Sequence, residues 1–178
     1  VDQRMPAVAV TDENNLFALI KFYSGAMGAG LKPIMGADLW LQADDPEDEP
    51  HYLCCLVQNE TGYLNLTLLI SRAWQHNQHR DRAMIRREWL MELNEGLILL
   101  SGARVGDVGR LLLSGKTDAA RQRAREYQDV FGDRFYLEVQ RTERPGDEDC
   151  LHASVALAAD LGLPVVATND VHFLEAED

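Results

Sequence analysis

The chain lacks long apolar runs, paired-cysteine spacings and any surplus of basic charge. Nothing in it approaches the roughly 20 consecutive apolar residues of a membrane-crossing helix, and no secretory apolar core stands at its start. It begins with Val1 rather than Met, so the expectation is an internal piece of a longer chain. Its cysteines, Cys54, Cys55 and Cys150, are odd in number and show no C-x-x-C spacing, which points to reduced, buried thiols and hence to the cytoplasm. Lys and Arg total 17 against 29 Asp and Glu, a net charge of −12. Such a surface is not the one that grips a phosphate backbone, so contact with DNA would be made elsewhere. No internal repeat is evident. What remains is a chain with 46% hydrophobic residues, enough for one sizeable core in one domain.

Three suggestive segments also fall short. Asp44 to Pro50, DDPEDEP, is acidic like a calcium loop but lacks its glycine and ligand spacing, and reads as a solvated excursion between two strands. Ser114-Gly115-Lys116-Thr117 resembles the end of a phosphate-binding loop, yet position 110 is Arg instead of the required glycine and a helical segment precedes it. His76 and His79 lack a third ligand nearby, so a solvated face is favoured over a metal bridge.

The segments that are present alternate in type. Ala7 to Val10 reads as a buried strand, and Leu16, Leu19, Ile20 and Tyr23 follow at helical spacing, with Asn14 or Asn15 as N-cap. Pro33 to Leu41 is a second strand, parallel to the first because a helix crosses between them. Further strands are expected at Tyr52–Val57, Leu97–Leu100, Phe135–Val139 and Val165–Ala167. Helices are expected around Leu64–Trp74 and at Ile85–Leu93, Val105–Leu113, Asp118–Phe131 and Cys150–Leu161. This alternation predicts an α/β fold with a mainly parallel sheet, open or closed into a barrel.

In such sheets function gathers at the carboxyl ends of the strands. That edge would carry Asp12, Glu13, Asp38, Glu138, Asp170 and His172, a set suited to zinc, manganese or magnesium that polarises a phosphoester and activates water. Asp170-x-His172 is the most informative pair, because residues two apart in an extended segment point the same way. The plain alternative is that each acid is a loop residue or a helix cap.

At these residues TDENNLFALIKFY, GAGLKPIMGADLWL, NETGYLNLTLLIS, LNEGLILLSG and GLPVVATNDVHFL closely resemble one family. It is the polymerase-and-histidinol-phosphatase (PHP) domain at the amino end of bacterial replicative DNA polymerase III α subunits, of the proteobacterial type. The resemblance covers Met5 to Asp178 in order. It implies a distorted seven-stranded (β/α) PHP barrel over residues 1–178, whose first strand, with a His-x-His motif, would lie just before Val1. It implies metal positions at Asp12, Glu13, Asp38, Asp170 and His172, in a degenerate state. Glu13 stands where metal-binding members have His, and Ala103 where they have Cys. A carboxylate-rich remnant of that kind would hold magnesium or manganese weakly and zinc less readily. The resemblance further implies that nucleotidyl transfer belongs to a downstream palm domain, and that this fragment serves as a scaffold. Its partners would be the proofreading exonuclease subunit and other domains of the same chain, with no membrane contact. The competing reading is an active metal-dependent phosphoesterase or 3′-5′ exonuclease.

Overall fold

Ala7 to Val10 begins a longer strand than its apolar run, β1 (Ala7–Glu13), which pairs in parallel with β2 (Lys32–Leu41), Ala7 opposite Lys32 and Glu13 opposite Asp38. The computed structural model of the chain describes residues 5–45, 47–79 and 81–171. Between these strands lies α1 (Leu19–Gly28), which starts three residues later than the apolar spacing indicates. Asn14 adopts φ 52°, and the Asn15 side chain accepts the Phe17 N–H at 2.9 Å, so a tight turn occupies the expected first helical turn. Neither asparagine is the N-cap. Asn14 instead reaches across the fold, donating from Nδ2 to the Ala83 carbonyl at 2.8 Å.

The remaining elements are β3 (His51–Val57), α2 (Glu60–His76), a two-stranded hairpin of β4 (Gln78–His79) and β5 (Arg82–Ala83), α3 (Arg87–Glu92), β6 (Leu97–Leu100), α4 (Asp107–Leu113), α5 (Thr117–Phe131), β7 (Phe135–Gln140), α6 (Asp147–Leu161) and β8 (Val165–Thr168). The main sheet has the order β1-β2-β3-β6-β7-β8. Parallel pairing prevails, but β3 runs against both of its neighbours. The cause is its connection: the described residues between 42 and 50 form no helix that could carry the chain back across the sheet, so β3 returns from β2 as a hairpin does. His76 closes α2 while His79 lies in β4, so the two histidines share no helix face. Ser114 to Lys116 links α4 to α5, a helix-to-helix turn in which Gly115 takes φ 73°.

The two faces of the sheet divide by the period of two. Ala37, Leu39 and Leu41, Leu53 and Cys55, Leu97 and Leu99, and Phe135 and Leu137 join the buried core with Leu66, Leu69, Tyr127 and Phe131 of the helices. The alternate residues, Gly36, Asp38 and Trp40 on β2, Tyr52, Cys54 and Leu56 on β3, and Tyr136, Glu138 and Gln140 on β7, form the opposite face. That face carries the polar chemistry. All three cysteines are free and buried, and among the described residues no helix is long and apolar enough to cross a membrane.

Candidate functional site

Register decides which acids meet. Glu13 pairs with Asp38 and Asp38 with Cys54, so all three project from the polar face of the sheet. Thr11 lies on the same face, and its hydroxyl donates to Asp38 Oδ2 at 2.9 Å. Burial, partly offset by hydrogen bonds from Cys54, Thr11 and Tyr52, pushes the Asp38 carboxyl up to about 6, with the charge of Glu138 adding to the rise. Burial likewise raises the Tyr52 phenol and the Cys54 thiol, and proximity to Asp38 raises both further. These groups therefore stay protonated, as donors around a single acid.

Glu13 sits at the rim, where its Oε1 accepts the Trp40 indole N–H at 2.6 Å. Trp40 in turn stacks edge-on against Tyr52, ring centres 5.0 Å apart, and carries the Arg82 guanidinium 5.1 Å from its ring centre. Asp12 turns the other way. It pairs with Ala37, a residue of the helix-covered core, and its Oδ2 accepts the Ala18 N–H at 2.8 Å, at the entry to α1. The structure thus separates Asp12 from Glu13 and Asp38.

A second group forms across β7 and β8. Glu138 is buried and accepts from the Gly102 N–H at 3.0 Å, from Gln140 Nε2 at 3.3 Å and from the Thr168 hydroxyl. Just beyond β8, Asp170 is ion-paired with Arg144 of the loop after β7. His172 lies outside the described residues. Thr11, Trp40, Tyr52 and Cys54 are the participants that the sequence pattern missed. Their signal was available in the alternation along β2 and β3, but it becomes readable only once the antiparallel register of β3 is known.

A metal centre of the kind implied by the fold would need several ligands around one point. Among the described residues no three His, Cys, Asp or Glu side chains are grouped to hold an ion. The acids present accept instead from backbone amides, hydroxyls, an indole and a guanidinium. The described residues therefore do not fit a multi-ligand metal centre.

Relatives agree with this architecture. The sequence profile of the PHP domain matches residues 1–142. The DNA polymerase III subunit alpha of Pseudomonas fluorescens is 55% identical over 98% of this chain, and that of Escherichia coli strain K12 is 53% identical over the same share. The chain spans 15% of the length of each of these relatives. A solved structure from Bifidobacterium adolescentis, described as a metal-dependent phosphoesterase, superposes with a TM-score of 0.55 at 12% identity, covering 97% of this chain and 79% of that one. The strand order, the polar face and the match over most of the residues lead to one assignment: this chain belongs to the PHP domain family.

Proposed function

We propose that the chain is the PHP domain of a replicative DNA polymerase III α subunit, acting in the cytoplasm as a scaffold and protein-docking module rather than as a hydrolase. The observation that carries this reading is the pairing of 55% identity along 98% of the chain with a polar face whose acids bond to the protein itself. In this reading Asp12, Glu13, Asp38, Asp170 and His172 are the remains of a metal site, and nucleotide transfer belongs to the rest of the longer polypeptide. Exposed apolar side chains support a role in assembly. Phe17 and Ile20 beside and on α1 are 92% and 73% exposed, and Leu64 and Trp74 of α2 are also exposed. These are residues that the remainder of the longer chain would cover. The acidic balance suits protein contact better than contact with DNA.

The partner in this reading is the proofreading exonuclease subunit. The test is its affinity for the full-length α chain, measured with and without residues 1–178, with primer extension as the control for folding of the remainder. Binding lost while extension persists is the expected result; binding retained after the deletion removes the docking role. Hydrolysis of a phosphomonoester or of single-stranded DNA that Asp38→Asn abolishes would favour the metal-dependent phosphoesterase reading instead.

A further inference from the structure

The disagreement between an acidic strand edge and the lack of a metal cage among the described residues has a local explanation in the loop after β7. That loop is fixed from beneath by Asp147, the first residue of α6, which is buried. Its Oδ2 accepts from the Thr142 N–H at 2.9 Å, the Thr142 hydroxyl at 2.7 Å and the Arg144 N–H at 3.2 Å, while Arg104 Nε stands 3.1 Å from Oδ1. Glu143, between the two bonded amides, takes φ 61°, a left-handed conformation that a non-glycine residue holds only when its surroundings impose it. So constrained, the loop delivers the Arg144 guanidinium to the Asp170 carboxylate, on the segment that leaves β8. The contact closes the carboxyl ends of β7 and β8 with a positive charge supplied by the chain.

We propose that Arg144 is the resident cation of this edge, held on Asp170 in the role that a divalent ion would otherwise take. A guanidinium suits the task because it stays charged at all physiological pH and offers several donors in a fixed plane. Asp170 is then a structural counter-ion that anchors the 141–147 loop. This inference is independent of which protein docks on the domain.

The experiment uses the full-length chain and three variants, Asp170→Asn, Arg144→Met and the double substitution. Bound Mn²⁺ is counted by equilibrium dialysis, and amide exchange of residues 141–147 is followed by mass spectrometry. The expected result is that Asp170→Asn binds as many Mn²⁺ ions as the parent chain. Exchange of the loop should quicken several-fold in each single variant and no further in the double, because both substitutions break one contact. One additional Mn²⁺ in Arg144→Met that the double variant loses again also supports the proposal, since it shows the guanidinium excluding an ion. A bound Mn²⁺ lost in Asp170→Asn overturns it, as does loop exchange that is unchanged in either single variant or accelerates additively in the double.

Discussion

Asp38 is the acid whose surroundings work hardest against its charge. Burial raises its pKa from 3.8 to about 6, so the folded chain holds this proton more tightly than the unfolded chain does. Between those two values the native state binds the extra proton, and stability falls as pH rises through the window of about 4 to 6. Above it the folded state carries the full cost of a buried carboxylate, on the order of 3 kcal/mol for a shift of this size. Asp38→Asn removes the titration while keeping the shape. The variant should therefore gain stability over the parent at pH 7.5, by about 1–3 kcal/mol, and lose that advantage below about pH 4. Urea unfolding of both chains from pH 3.5 to 8 measures the difference, and a gap that does not change with pH refutes the account. At this scale the sequence was informative about types and silent about directions. Asp12 and Glu13 are adjacent acids, and their side chains leave on opposite faces because β1 runs on through both of them, past its apolar run; the pairing of β1 with β2 then sets which of the two lies beside Asp38.

Among the elements, α2 depends on a close backbone approach. Asn59 caps it, its side chain accepting the Gly62 N–H at 3.0 Å, and the first turn lies against the turn at Gly96. A methyl group on Gly62 would stand 1.9 Å from the Gly96 carbonyl oxygen, and one on Gly96, which has φ 72°, would stand 2.2 Å from Asn59 Oδ1. Gly62→Ala should accordingly destabilise the chain by about 1–3 kcal/mol through overpacking, although alanine is worth about 1 kcal/mol over glycine in an exposed helix. Chemical denaturation gives the sign directly, and a stabilised variant would mean that the two turns are not in contact. The sequence showed most elements because apolar spacing and Gly or Pro punctuation are local signals. It did not show the reversed direction of β3 or the hairpin of β4 and β5, both of which depend on what a connecting segment packs against. The acidic loop after β2 illustrates the difference: its composition reads as fully solvated, yet Asp44 is bonded to Arg87 and Arg123, and Arg110 donates to the Glu49 carbonyl.

At the scale of the molecule, one buried carboxylate ties together segments far apart in the chain. Asp107, at the start of α4, is 1% exposed. It accepts the Tyr127 hydroxyl at 2.7 Å, stands 2.9 Å from Arg123 of α5, and faces Arg87 of α3 at 3.5 Å. Arg87 and Arg123 then reach outward to Asp44 at 2.5 and 2.8 Å, bringing the loop after β2 into the same network. The Arg87 hydrogen bond is the largest influence holding the Asp44 carboxyl down to about 2. The two aspartates contact the same arginines, but their side chains are 1% and 66% exposed, and this contrast sets the energetics. Losing Asp107 removes the buried, inner acceptor of two largely buried guanidinium groups and of a buried phenol, whereas losing Asp44 returns the arginines to solvent on their outer side. Asp107→Ala should cost about 3–5 kcal/mol, and Asp44→Ala less than about 1 kcal/mol. Added salt should weaken the Asp44 contribution and leave that of Asp107 nearly intact, because screening acts on exposed charges. Urea midpoints of the two variants at low and high salt test both statements. Equal losses at the two positions would show that the arginines, and not the depth of the carboxylate, set the strength of the network.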